Sequence, residues 1–472
     1  VNSKGYLDMR GEQGNKMKNK AEGYQAVKGK IVPKCLVHFR PKRDWKGEGY
    51  GFDWMRNHLL GDPISYIGIV RKLYKEYPIS TKTLETNYNV HTGVVTPNDD
   101  QLSLTMFEKL KLEYGVYITS LEAPASKEYF ASWISTYPNI SCTLSLLLEI
   151  QDPAIEKIYL VPPKGVQVTP TEIPVTSFIP KKNIEDKDQD KNKILEYREL
   201  IDGVTITVTG EGDTLEKKAN SLKHNKSLIA EVEVEGKRYM VGELKIWPNA
   251  PKNQKTAHVT LVMVSTQPIN QNDLMKAKEN AKAYFKKYLP QALVQVEVKE
   301  DFLDLSNDTS FREQYLTDGF IKAYYEDEKE NKEYRDVALV LKDKYNKEAS
   351  FYKKSYVAFY FYQNRGIKIE ERENDEDERE ESERIKNIGG YDSLEDALVL
   401  FPLSDKDDTT PTHELCHMIG ISHSFANKES NKGKLKNEYT FICGQTDNIM
   451  DYFSLRFSLW KWQWKFIQKN VK

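Results

Sequence analysis

Three of the chain's eight histidines fall within eleven residues, His413-Glu414-Leu415-Cys416-His417-Met418-Ile419-Gly420-Ile421-Ser422-His423, at a spacing that lets all three hold one metal ion. Residues four apart share a helix face, so a helix here aims His413 and His417 at one spot with Glu414 beside them. Gly420 can take a positive φ without steric cost, end that helix and fold the chain back so that His423 arrives as a third ligand. Three neutral imidazoles leave one tetrahedral position open, the ligand count of a catalytic zinc rather than a structural one. A water in that position is acidified toward neutrality, and Glu414 stands ready as general base. The extra glycine and third histidine make this pattern far more specific than a bare HExxH. Two blander readings compete with it: a buried helix whose histidines are merely hydrogen-bonded, or a degenerate site that binds zinc without turnover.

The helix that must carry these residues has a legible start. Thr409 or Thr410 can cap it, Pro411 suits the first turn where its missing N–H costs nothing, and Leu415, Met418 and Ile419 supply an anchoring apolar side. Downstream, Asn448-Ile449-Met450-Asp451-Tyr452 sets a methionine 27 residues after His423.

With this second motif the sequence resembles the metzincin clan of zinc endopeptidases, whose pattern is HExxHxxGxxH followed by a methionine turn under the metal. The resemblance covers residues 255–472. It implies His413, His417 and His423 as zinc ligands, Glu414 as general base and Met450 as the floor of the site. Tyr452 matches the place where astacin-like and serralysin-like members carry a tyrosine that ligates zinc or stabilises the oxyanion. Ser424, directly after the third histidine, instead resembles matrixin-like members, so the subfamily stays open.

The elements before the helix fit such a domain. After Pro248-Asn249-Ala250-Pro251 the pattern turns to alternating strand and helix: a strand at 258–264, a helix through Leu274, Ala277, Ala281, Tyr284 and Tyr288 capped by Asn272 or Asp273 and ended by Pro290, then strands at 292–298, 336–341, 356–362 and 397–401. This order resembles the twisted mixed sheet and backing helix of a metzincin catalytic domain, in which an antiparallel edge strand pairs with extended substrate; residues 356–362 are the candidate for it. The acidic and basic run at 370–383, within a charged insertion at 369–386, reads as a solvated segment and lacks an EF-hand pattern. Phe457, Trp460, Trp464 and Ile467 recur at helical spacing and predict a packed terminal helix.

Ahead of this domain, residues 1–30 read as a flexible leader, 31–155 as a β-rich domain and 156–250 as a second, immunoglobulin-like β-sandwich module. The expected architecture is therefore multidomain, β-sandwich modules followed by an α+β catalytic domain with a mixed twisted sheet and an active-site helix. The segments Val37-His38-Phe39-Arg40-Pro41-Lys42, Trp45-Lys46-Gly47-Glu48, Gly51-Phe52-Asp53-Trp54-Met55-Arg56 and Ala131-Ser132-Trp133-Ile134-Ser135 resemble β-rich leading regions of Bacteroidetes toxins associated with type VI secretion. That resemblance implies a secreted bacterial effector that engages a secretion machinery.

Composition sets outer bounds. At 472 residues the chain is too long for one typical core. Lys plus Arg of 69 against Asp plus Glu of 71 gives a net charge of −2, which argues against nucleic acid as main partner and leaves a protein or peptide substrate. No apolar run is long enough to span a bilayer, and Val1-Asn2-Ser3-Lys4-Gly5 shows no charged-then-apolar signal pattern. Four cysteines make no disulfide scaffold; Cys416 and Cys443 read equally as a bonded pair or as buried thiols, and Cys35 and Cys142 as core thiols. His38, His58, His91, His224 and His258 lack a second ligand at suitable spacing and read as structural. A second function remains on the table, a binding or delivery protein whose β modules act and whose peptidase fold is inert. Against it, every position where inert relatives commonly lose a ligand or base is filled.

Overall fold

The computed structural model describes residues 35–71, 97–114, 116–119, 127–150, 154–181, 197–268, 270–317, 320–322, 324–326, 334–361, 367–369, 384–386, 390–393, 397–401, 408–425, 439–452 and 455–472. The leader at 1–30, the run at 370–383, His91 and residues 182–196 lie outside them.

Alternating apolar residues in the front half build two facing sheets. One is antiparallel and runs Cys35–Pro41, Ser141–Ile150, Tyr197–Val208 and Ile179–Lys181, with Val166–Thr169 also on Tyr197–Val208. The other orders Glu172–Pro174, Lys157–Val161, Lys226–Val234, Lys237–Ile246, Ser132–Ser135 and Gly51–Asp53, antiparallel except where Leu244–Ile246 runs parallel to Ser132–Ile134. Val37, Phe39, Leu144, Leu146 and Ile206 of the first sheet share a core with Leu228, Ala230, Leu244 and Ile134 of the second. The sheets approach closely at Gly242, where a β-carbon would sit 2.3 Å from the Val37 carbonyl oxygen.

Both sheets draw strands from before and after residue 155. The expected division into modules at 31–155 and 156–250 therefore falls inside a single sandwich. Strand pairing here is set by complementary apolar faces and not by proximity along the chain, which is why a left-to-right reading cut it in two.

From Lys255 the chain builds a five-stranded mixed sheet in the order Val294–Asp304, Lys255–Ser265, Tyr356–Phe361, Ala397–Leu400 and Gly390–Ser393. The first four strands are parallel and the last is antiparallel. The two faces can be read along one strand. Ala257, Val259, Leu261 and Met263 face a layer containing the backing helix Gln271–Lys287, through Ala281 and Phe285, and the histidine-bearing helix Thr410–Ile419, through Leu415 and Ile419. Val262 and Val264 face the other layer, with Phe311, Val337, Ala338 and Leu341. Burial on both faces explains the near-continuous apolar run of this strand.

Three sequence expectations differ here. Residues 356–362 are not the sheet margin: Tyr356–Phe361 is a fully buried parallel strand, and the antiparallel edge is Gly390–Ser393. A glycine and two polar residues gave that short edge no strand signal. Val337–Tyr345 is a helix instead of a strand, because Val337, Ala338, Val340, Leu341 and Tyr345 share one buried face, and a five-residue apolar run fits either element. The backing helix is capped by Asn270, whose side chain accepts from the Asn272 N–H, two residues ahead of the expected cap.

The front of the chain also enters this second half. Met55, Tyr66 and Val70, with Met106, Leu110 and Tyr114 of the helix Pro97–Tyr114, pack in the same core as Leu415, Met450, Trp460 and Trp464. Val70–Arg71 pairs antiparallel with Thr440–Phe441. Residues 66–69 are turn and bend, and the helix at 97–114 lies in sequence expected to be β-rich. Among the described residues no helix is long and apolar enough to cross a membrane.

Candidate metal centre

The helix Thr410–Ile419 is held at its start by Thr409 in the N-cap position and Pro411 in the first turn, although the Thr409 side chain makes no capping bond. Asp408 just before it takes hydrogen bonds from Lys287 and, at 2.7 Å, from the Tyr288 hydroxyl, and Thr412 Oγ1 donates to the Tyr284 carbonyl at 3.2 Å. The backing helix thus sets both position and rotation of the metal-site helix. Gly420 ends it with φ 100°, and the Gly420 and Ile421 N–H groups close back on the His417 and Cys416 carbonyls at 2.8 and 2.9 Å.

That turn brings the third histidine round. His417 Nε2 lies 3.1 Å from His413 Nε2 and 3.0 Å from His423 Nε2, and the three residues form a group that could hold a metal ion. Among the described residues no carboxylate or thiolate joins this group as a fourth donor.

The outer nitrogens decide what the inner ones are. His413 Nδ1 is 2.8 Å from the Ile449 carbonyl and His417 Nδ1 is 2.8 Å from the Ile421 carbonyl. A carbonyl only accepts, so both Nδ1 atoms donate. If neutral, both rings then turn bare Nε2 lone pairs toward each other; if protonated, they turn two N–H groups. With both rings in the same state neither arrangement is a hydrogen bond, so the 3.1 Å approach needs either one proton shared between the rings or a metal cation among them. A tetrahedral zinc with Zn–N bonds of about 2.0–2.1 Å spaces its nitrogens about 3.3 Å apart. The donor set fits that ion, with the second-shell carbonyls fixing each tautomer. Burial, with the charges of His417, His423 and Arg456, pushes the His413 imidazole well below the ordinary value of 6.5, which favours the neutral ring that a metal needs.

Met450 is fully buried next to Ile449, whose carbonyl faces His413; the Met450 N–H is bonded to Asn448 Oδ1 at 2.9 Å and its carbonyl accepts from the Ser424 N–H at 2.8 Å. The Tyr452 ring lies 4.8 Å from the His423 ring and 6.0 Å from that of His413. Phe425 stacks on His423 at 4.7 Å. Glu414 is buried on the helix next to His413. All six residues singled out in the sequence therefore belong to the metal-site helix, the segment folded back after it and the turn below. The cysteines do not add a crosslink: all four are free thiols, and burial raises the Cys416 pKa far above its usual range. Cys35 is buried in the sandwich. His258, exposed on its strand, lies 3.2 Å from Glu297, and His38 pairs with Glu149 at 2.7 Å.

The sequence reading missed the polar groups that shape the turn. Asp451 accepts from the Gly444 and Thr446 N–H groups at 2.7 and 2.8 Å. Gln463 of the terminal helix Lys461–Asn470 exchanges two hydrogen bonds with Asn448. Asp447 faces a fully buried Arg56 from the front of the chain. Asp451 and Asn448 stood within the quoted turn motif; Arg56 and Gln463 carried no signal, since each acts through a partner remote in sequence.

No family model matches the chain, and no curated protein matches it. Among solved structures it is similar to metalloproteinase-II from Bacteroides fragilis, at 10% identity over 74% of this chain and 90% of that one, with a TM-score of 0.22. A family 123 glycoside hydrolase from Clostridium perfringens is matched at 8% identity over 55% and 48% of the two chains, with a TM-score of 0.12. Scores this low carry no argument about fold or activity. The protein is a mixed α/β chain of several sheets with a three-histidine group that could hold a metal.

Proposed function

We propose that the chain is a zinc-dependent endopeptidase of the metzincin type. The observation that carries this reading is the mutual approach of the three Nε2 atoms, on two rings whose Nδ1 donates to a backbone carbonyl and so leaves Nε2 as the lone-pair nitrogen of the neutral ring. When bound, zinc supplies a Lewis acid that acidifies water and polarises the scissile carbonyl. His413, His417 and His423 hold it through Nε2. The Glu414 carboxylate accepts a proton from the attacking water and delivers it to the leaving amine. The Tyr452 hydroxyl donates to the carbonyl oxygen as negative charge builds there. The antiparallel margin Gly390–Ser393 takes the extended peptide by strand addition.

Cleavage of denatured casein, abolished by a chelator and restored by zinc, tests the reading. Glu414→Ala should keep its zinc and lose cleavage. Undiminished cleavage by this variant overturns the assignment, and zinc uptake by the wild type without cleavage would instead favour an inert peptidase fold carrying functional β strands. Action as a secreted effector rests on the leading-region resemblance alone; recovery of the native protein from culture medium, lost when the secretion machinery is deleted, tests that separately.

A further inference from the structure

The front segment places a cation beneath the proposed metal centre. Arg56 is 1% exposed, and its guanidinium is fully engaged. Nη1 donates to Asp53 Oδ1 at 2.5 Å and to the Trp54 carbonyl at 2.9 Å. Nε and Nη2 donate to Asp447 Oδ2 at 3.2 and 3.1 Å, and Nη2 also reaches Ser458 Oγ at 3.2 Å. The plane of the group lies over Trp54, 3.8 Å from the ring centre. Two carboxylates and one guanidinium, all out of water, hold geometry tightly, because any displacement leaves a buried charge without its partner.

From Asp447 a short path of hydrogen bonds leads to a proposed ligand. The Ser458 hydroxyl donates to Asp447 Oδ1 at 3.0 Å, and the Ser458 N–H donates to the Asp447 carbonyl at 2.9 Å. The Ser458 carbonyl accepts from the Ile449 N–H at 2.8 Å, and the Ile449 carbonyl accepts from His413 Nδ1 at 2.8 Å. The carbonyl that fixes the tautomer and ring angle of His413 is thus set from behind by a peptide unit tied to Arg56.

We infer that Arg56 and Asp447 are positioning residues for the metal centre, acting on His413 through Ser458 and Ile449, so that the front segment is a working part of the site and not a detachable module. This inference rests on the metal-site reading above, but not on peptide cleavage. Outer partners of metal ligands typically affect metal affinity 10–100-fold.

The test uses the full chain. Asp447→Asn keeps the shape of the side chain and removes its charge. It should fold, by circular dichroism and a cooperative melt, yet bind zinc 10–100-fold more weakly in chelator competition, and its cobalt(II)-loaded form should show a shifted visible spectrum. Glu199→Gln is the control: it breaks the buried carboxylate's pairs with Arg43 and Lys181 in the sandwich, at 2.5 and 2.8 Å and outside this path, and should leave affinity and spectrum unchanged. Asp447→Asn matching the wild type in both readouts overturns the inference, as does equal weakening in the control. If Asp447→Asn does not fold, Ser458→Ala, which keeps both charges, decides by the same two readouts: weaker zinc and a shifted spectrum support the path, and unchanged values overturn it. A wild type that binds zinc but cleaves nothing sinks only the peptidase proposal, whereas one that takes up no zinc sinks both.

Discussion

The sandwich and the histidine-bearing half solve the same packing problem with different materials. In the sandwich, Val37, Phe39, Leu144, Leu146, Leu228 and Leu244 fill the space between sheets, and Glu199, buried outside that apolar core, pairs with an exposed Arg43 and a half-buried Lys181. Behind the three-histidine group, Arg56, Asp53, Asp447, Asn448, Asp451 and Gln463 are all buried and paired with one another or with backbone. Apolar cores specify that surfaces meet; buried hydrogen-bonded networks also specify at what angle, and a metal ligand needs the angle.

Breaking the contrast at its strongest point means removing the base. Glu414→Ala should lower peptide cleavage by about 10²–10⁴-fold with zinc content unchanged, checked by peptide hydrolysis and metal analysis side by side. Next in size is the buried cation. Arg56→Met strands two carboxylates and should destabilise the chain by about 3–5 kcal/mol in urea unfolding; a loss under 1 kcal/mol would mean the network matters no more than a surface pair. Gly420→Ala should cost about 1–2 kcal/mol, because the φ of 100° disfavours any side chain while the added carbon would meet Phe466 at an ordinary contact distance of 3.6 Å. Zinc affinity should fall with it, since this turn delivers His423.

The smallest effect belongs to the sandwich. Burial opposes the charge of Glu199, but hydrogen bonds and charges from Lys181 and Arg43 outweigh it and hold the carboxyl below its ordinary value of 4.5. A group lowered in the folded state binds fewer protons there than when unfolded. Its contribution is therefore complete above 4.5 and fades as pH falls through the lower folded value. Glu199→Gln should show a shallower loss of stability in that acid window than the wild type, and identical slopes would remove Glu199 from the account.

The same contrast explains what could be read from the sequence. Apolar runs at 143–150, 228–234 and 239–246 announced strands, and the spacing of His413, His417 and His423 announced a shared focus, because those signals are local. Which strands pair was not local, so one sandwich was read as two modules. Arg56 and Asp447 stand 391 residues apart, and nothing in either neighbourhood names the other. The margin strand Gly390–Ser393 was hidden for a different reason: an edge needs few apolar residues, whereas the conspicuous run at 356–361 belongs to the sheet centre.

The central claim is a zinc ion held by three histidines with one position left for chemistry. Diffraction from zinc-loaded crystals on both sides of the zinc absorption edge tests it directly. The account predicts one anomalous peak within about 2.1 Å of Nε2 of His413, His417 and His423 and no fourth protein ligand. A peak elsewhere, or a protein side chain filling the fourth position, would contradict it.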